Sequence, residues 1–276
     1  MASPCEILVD TLEKKLAAGI IETAVNEATR IEHKFSRYIA GNIVDRINQS
    51  NGKWVELDSE TERLIKFCRQ CYDISDGLFD ITSGILRRLW KFDDRHKVPS
   101  KKAIKQLLDC IGFEKITFQD KQINLPESME IDFGGVGKEY AVDRIIGIIK
   151  SKTAVPVLVN LGGDISTSRN RQNGEHWTIG IENPENSDQT VSLIKVSQGS
   201  IATSGDSKRF LMVRGKRYGH ILNPKTGWPV VDSPRSVTVG ARTCTDAGIL
   251  ATLAMLQGNQ AESFLELQEL PFYCYR

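Results

Sequence analysis

Asp132-Phe133-Gly134-Gly135-Val136-Gly137-Lys138-Glu139-Tyr140-Ala141-Val142-Asp143 is the stretch on which the reading of this chain turns. Residues 129–133 predict a short strand, and beyond the glycines Tyr140, Ala141, Ile145, Ile148 and Ile149 recur at helical spacing. Three glycines therefore sit where a strand passes into a helix. Backbone N–H groups at such a turn approach a phosphate closely, and the helix N-terminus adds a favourable dipole. The stretch alone fits equally well a glycine turn that binds nothing. Two familiar phosphate motifs are excluded. A P-loop needs glycine where Asp132 stands and Ser or Thr where Glu139 stands, and a dinucleotide fingerprint counted from Gly135 needs glycine at Tyr140.

Around this stretch lie 276 residues with a formal charge of +1 and no basic run, a balance that points away from nucleic acid and anionic membrane. No apolar stretch approaches the roughly 20 residues of a membrane span. The opening residues lack the basic and apolar regions of a secretion signal, so a cytoplasmic location is expected, or a periplasmic one if a leader was removed. Six cysteines are scattered along the chain, which suits a reducing compartment. Cys68-x-x-Cys71 lies on the apolar face of a helical segment with no second Cys or His pair, and reads as two core thiols.

Taken in order, Asp10 predicts a helix cap with Glu13 reaching back, ahead of Leu16, Ile20, Ala24, Ala28, Ile31 and Phe35 on one face. A short helix over 42–48, a strand over 54–57 and a second capping box, Ser59-x-x-Glu62, follow. Residues 75–84 place Asp80 and Thr82 between two glycines in an expected extended loop, suited either to a polar ring edge or to a plain capping turn. A helix over 100–110 and a hairpin over 114–125 precede the glycine turn. The second half predicts strands over 155–160, 177–181, 191–196, 200–203, 210–213, 218–222 and 236–240, then a helix over 245–257. Strands and helices mix without strict alternation, so the expected class is α+β, one domain over residues 1–276. No linker, repeat or low-complexity tract divides it.

Polar and glycine clusters fall at strand ends: 160–164, 203–206, 220–227 and 245–247. Ser204 with His220 suggests a nucleophilic pair, but the Gly-x-Ser-x-Gly elbow is missing because Ala202 precedes Ser204 by two. His220 alone reads as a structural histidine or as a base. Asp246 reads as an ordinary acid at a helix N-terminus.

In register, Gly77-Leu78-Phe79-Asp80-Ile81-Thr82, Asp132 to Lys138, Asn160-Leu161-Gly162-Gly163-Asp164, Ala202-Thr203-Ser204-Gly205, His220 to Gly227 and Asp246-Ala247 resemble the ApbE-type FAD:protein FMN transferases. Ser3-Pro4-Cys5-Glu6 and Phe35-Ser36-Arg37-Tyr38 followed by Asn48 are similar to further family motifs, so the likeness spans nearly the whole chain. The resemblance implies mixed or antiparallel sheets with flanking helices. It also implies a Mg²⁺-dependent enzyme that moves FMN from FAD to a Ser or Thr of an acceptor protein and releases AMP. Relatives that hydrolyse FAD, or a flavin binder without catalysis, are the alternatives. By the same resemblance the Gly137 carbonyl and Asp246 hold the metal, His220 and Asp246 are the catalytic residues, and Phe35, Leu78, Phe79, Asp80, Gly134, Gly135, Gly137, Lys138, Tyr140 and Leu222 bind FAD. Three departures stand out. Gly137, Lys138 and Glu139 replace a small residue followed by Lys-Gly, and Asn223 replaces a usual Asp. Leu250 occupies the position four after Asp246 where relatives carry a metal-facing Thr, and Thr252 stands two further on.

Overall fold

A computed structural model describes residues 3–92, 97–206 and 209–276. Its centre is a six-stranded sheet whose neighbours, in spatial order, are Cys5–Val9, Val157–Leu161, Asp164–Thr167, Gly199–Gly205, Ser236–Ala241 and Phe272–Tyr275, every pair antiparallel. The strand period of two divides the side chains between two covers. Val157, Val159, Leu161 and Ala202 join the core beneath the helices Gly137–Lys152 and Cys244–Leu256. Leu158, Ile165 and Ile201 face the other way, against Trp177 and Ile179 of the hairpin Trp177–Asn183/Asn186–Val196. Both faces are thus dry, which explains why these strands read as unbroken apolar runs. The α+β class expected from the pattern is what the chain adopts.

The long helix Lys14–Phe35 buries Ile20, Ala24, Ile31 and Phe35 along one stripe and packs beside Gly137–Lys152. The Asp10 capping box does not form. Asp10 instead accepts from the Gln172 amide at 2.8 Å and pairs with Arg171, and the helix starts at Lys14 without a side-chain cap. The Ser59 box is displaced by one residue. Asp58 caps Ser59–Ile74, taking the amides of Glu60 and Thr61, because a carboxylate accepts more strongly than a hydroxyl. Cys68 and Cys71 are free and buried in the core, as their spacing on an apolar face predicts.

Residues 129–133 are not a strand. Their main-chain groups are met by a side chain instead: Asn48 accepts from the Ile131 amide at 2.7 Å and donates to its carbonyl at 3.0 Å. The Asp132 amide then donates to the Ile81 carbonyl at 2.8 Å. A carboxamide can present one donor and one acceptor as a neighbouring strand does, so the segment enters the glycine turn extended without a ladder. Residues 81–88 likewise form a 3₁₀ helix rather than an extended loop, with Asp80 as its cap. The strand expected over 218–222 lies earlier, at Lys216–Gly219. Among the described residues, the strands Asp164–Thr167 and Phe272–Tyr275 and the helix Ala261–Glu266 stand where the sequence predicts no element.

Asp143, on the helix Gly137–Lys152, accepts from the amides of Cys244 (2.7 Å) and Thr245 (2.8 Å) and from the Thr245 hydroxyl. A carboxylate on one helix thereby satisfies the free N–H groups that begin the other, fixing how the two meet. Asp143→Asn leaves one acceptor oxygen for three donors and is expected to lower stability by about 1–3 kcal/mol. Denaturant melts would show this as a lower midpoint at unchanged slope; an unmoved midpoint would mean the two helices are positioned by apolar packing alone.

Candidate active site

The 3₁₀ helix, the glycine turn, the strand Gly199–Gly205, residues 220–222 and the helix Cys244–Leu256 converge on one cleft of about 800 Å³. That volume lies within the range of cofactor-sized sites. Of the residues singled out in the sequence, Leu78, Phe79, Asp80, Gly134, Gly135, Lys138, His220 and Leu222 line it. Phe35, Gly137, Tyr140 and Asp246 do not. Phe35 is buried edge-on between the rings of Phe133 and Tyr140, at 5.4 and 6.1 Å between centroids. The Tyr140 hydroxyl donates to Glu60 at 3.0 Å, and Gly137 is the first residue of its helix. Asp246 is exposed in the first turn of its helix.

Asp80 reaches the cleft but is already engaged. One carboxylate oxygen accepts from the Thr82 amide (2.8 Å) and hydroxyl (2.7 Å), the other from the Phe113 amide at 3.3 Å. Burial, outweighing these bonds, pushes its carboxyl above the ordinary range. The residue holds the loop that presents Leu78 and Phe79.

The wall is rich in cations. Arg37, Arg87, Lys91, Lys138 and Arg209 line it against Asp80, Asp132 and Glu139, a balance that draws an anion into the cleft. Arg37 pairs with Asp132, Arg87 with Glu130 and Lys138 with Asp164. Trp90, Phe92 and His220 form a row of rings: Trp90 and Phe92 are stacked at 5.9 Å, and Phe92 meets His220 edge-on at 6.3 Å. The row is anchored by the Trp90 indole, which donates to the Gly227 carbonyl at 2.8 Å.

His220 faces the cleft with Nδ1 at 3.2 Å from the Arg209 carbonyl. A carbonyl only accepts, so Nδ1 carries the proton and Nε2 keeps its lone pair. Burial, and then the charge of Arg209, hold the imidazole below the usual histidine range. No Ser204–His220 pair forms. The Ser204 hydroxyl lies 2.9 Å from that of Thr252.

Glu139 lines the cleft at 7% exposure. Its Oε2 is buried with no hydrogen-bond partner. Burial, and then the charge of Asp164, push its carboxyl up to about 7. Among the described residues no group of three or more His, Cys, Asp or Glu could hold a metal by itself. Mg²⁺ usually takes only one or two carboxylates and completes its shell with water and substrate phosphates. One orphaned buried carboxylate oxygen in a cation-lined cleft fits that demand.

Several of these residues lay beyond sequence reasoning. Arg87, Lys91, Trp90, Phe92 and Arg209 belong to no motif or periodic face, and only the fold assembles them. Thr252 stands in the sequence only as the residue two beyond Leu250, and the fold brings it to the cleft.

A model of the ApbE family matches residues 1–274. The FAD:protein FMN transferase of Vibrio cholerae is 27% identical over 237 residues, 83% of this chain and 71% of that protein. The Klebsiella pneumoniae protein of the same name is 27% identical over 259 residues, 92% and 79%. The crystal structure of the ApbE protein of Thermotoga maritima superposes with a TM-score of 0.88 at 29% identity, covering 98% of this chain and 94% of that one. The flavinyl transferase ApbE of Pseudomonas stutzeri shares the fold at a TM-score of 0.82 and 23% identity, with 98% and 90% covered.

Proposed function

This chain belongs to the ApbE family, and on that premise we propose that it transfers FMN from FAD to a Ser or Thr hydroxyl of an acceptor protein and releases AMP. The observation that carries the reading is the cleft itself: rings and cations on its walls, and a lone carboxylate with an unpaired oxygen at its glycine turn. Flat heterocycles are matched by Leu78, Phe79 and the Trp90–Phe92 row, and a diphosphate by Arg37, Lys138 and Arg209 with the Gly135 amide of the turn.

In this reading the acceptor oxygen attacks the flavin-side phosphorus. The bond to the bridging oxygen breaks, AMP departs with that oxygen, and Nε2 of His220 takes the hydroxyl proton. Lys138 and the Gly135 amide hold the phosphates in place while charge shifts between their oxygens. Mg²⁺, held by a carboxylate of the cleft, would neutralise that charge.

The test is incubation with FAD, Mg²⁺ and a flavin-acceptor domain, reading acceptor mass and AMP together. The expected result is an acceptor heavier by FMN with an equal amount of AMP. AMP with unmodified acceptor would replace transfer by hydrolysis, and neither product would leave a flavin-binding protein.

A further inference from the structure

We infer that the carboxylate which holds the divalent cation in this chain is Glu139, reaching from the helix Gly137–Lys152 across Gly248 of the helix Cys244–Leu256, and not Asp246. The inference rests on the transfer reading above and names its metal ligand. A Cβ on Gly248 would stand 2.6 Å from Glu139 Cγ and 2.9 Å from Oε1. Real Cβ contacts are never so short, so the Glu139 side chain fills the space that a side chain at 248 would otherwise take. Glycine there is what admits it. Position 252 lies one helical turn beyond 248, and Thr252 lines the same cleft. The face of the helix that meets the cleft thus runs through 248 and 252. Asp246, two residues before 248, is rotated about 200° from that face and is exposed.

The charges point the same way. Asp164, 1% exposed, engages the ammonium of Lys138. Lys138 is thus taken by Asp164, and among the described residues no cation pairs with Glu139, whose Oε2 is buried without a partner. A buried carboxylate oxygen with no hydrogen-bond partner is costly, and a cation bound beside it would meet that oxygen. The oxygens at hand, those of Glu139, the Thr252 hydroxyl and a substrate diphosphate, are hard donors that suit Mg²⁺ or Mn²⁺ rather than a softer ion.

The experiment is Mn²⁺ titration of the full chain followed by electron paramagnetic resonance, with FAD present and acceptor absent. Circular dichroism and FAD fluorescence serve as checks of folding and flavin binding. Glu139→Gln is expected to weaken Mn²⁺ by about tenfold or more, while Asp246→Asn changes it by less than about twofold. The double variant Glu139→Gly with Gly248→Asp moves the carboxylate to the other helix and is expected to recover most of the lost affinity. Equal Mn²⁺ affinity in Glu139→Gln, or a tenfold loss in Asp246→Asn, overturns the assignment. The Asp246→Asn result decides the matter even if Glu139→Gln fails to fold. Wild-type protein that labels its acceptor without binding Mn²⁺ would sink the metal assignment and leave transfer standing. Mn²⁺ binding lost with Glu139 in a protein that never labels an acceptor would do the reverse.

Discussion

His220→Ala is expected to slow FMN transfer by about 10²–10⁴-fold, the usual worth of a positioned general base. Three features of the site support an effect of that size. The imidazole lies in the cleft beside Phe92, whose edge-on contact limits how the ring can turn. The Arg209 carbonyl fixes the proton on Nδ1 and leaves Nε2 to accept. Burial and the Arg209 charge keep the ring neutral in the range where a free histidine would already be charging. The sign of the pH effect follows. A base with a lowered pKa stays competent as pH falls past the ordinary histidine value of about 6.5 and fails only below it. The acid limb of the wild-type rate profile should therefore lie under pH 6.5, and in His220→Ala that limb should vanish with the rate. FAD binding should change far less than turnover, because the rings and cations that match FAD remain in place without the imidazole. A variant that keeps its rate, or a limb above pH 6.5, would remove His220 from proton transfer.

The parts of the site legible in the sequence were those where a local rule and the tertiary structure agree. Glycines at 134 and 135 mark a turn whatever surrounds them, and His220 with the 223–227 turn stands at the end of a strand-like run. Asn160-Leu161-Gly162-Gly163-Asp164 reads as a polar cluster, but Gly162 and Gly163, at φ of +70° and +97°, are the two-residue loop of a tight hairpin. Paired glycines between apolar runs are a hairpin signal, so the missed strand Asp164–Thr167 was within reach. Its recovery matters, since this loop is what sets Asp164 beneath Lys138. Asn48 is the contrary case. No local rule says that a carboxamide 83 residues away will stand in for a strand partner of Ile131. The phase of the last long helix shows only in the folded chain, for a third reason. Counting forward from Asp246 lands on Leu250, which packs with Val237 and Val239 in the second core. Counting back from the cleft-lining Thr252 lands on Gly248. Glycine carries no donor to announce a site, and the acid that fills its place belongs to another helix.

Gly227→Val is expected to cost about 2–5 kcal/mol, from a left-handed backbone forced on a β-branched residue and from overpacking. Gly227 sits at φ +71°. Its amide closes the turn on the Asn223 carbonyl at 2.8 Å, while the Asn223 side chain takes the Lys225 amide at 2.8 Å. A Cβ there would stand 2.5 Å from Ile104 Cγ2 and 3.4 Å from both Leu86 and Leu108. Ile104 and Leu86 are buried in the cluster that includes Trp90, so neither can swing into solvent. The turn must therefore lift, and with it the carbonyl that holds the Trp90 indole. Stability and site are coupled here. Loss of that bond frees the Trp90–Phe92 row and, through Phe92, the ring of His220. Denaturant melts should show the loss in stability, and Trp fluorescence of the folded variant should shift as Trp90 leaves its buried position. Gly227→Ala, which keeps the strain but adds less bulk, should fall between wild type and valine. A valine variant as stable as wild type, with an unshifted spectrum, would mean that the turn tolerates displacement and that the ring row is held by its own stacking.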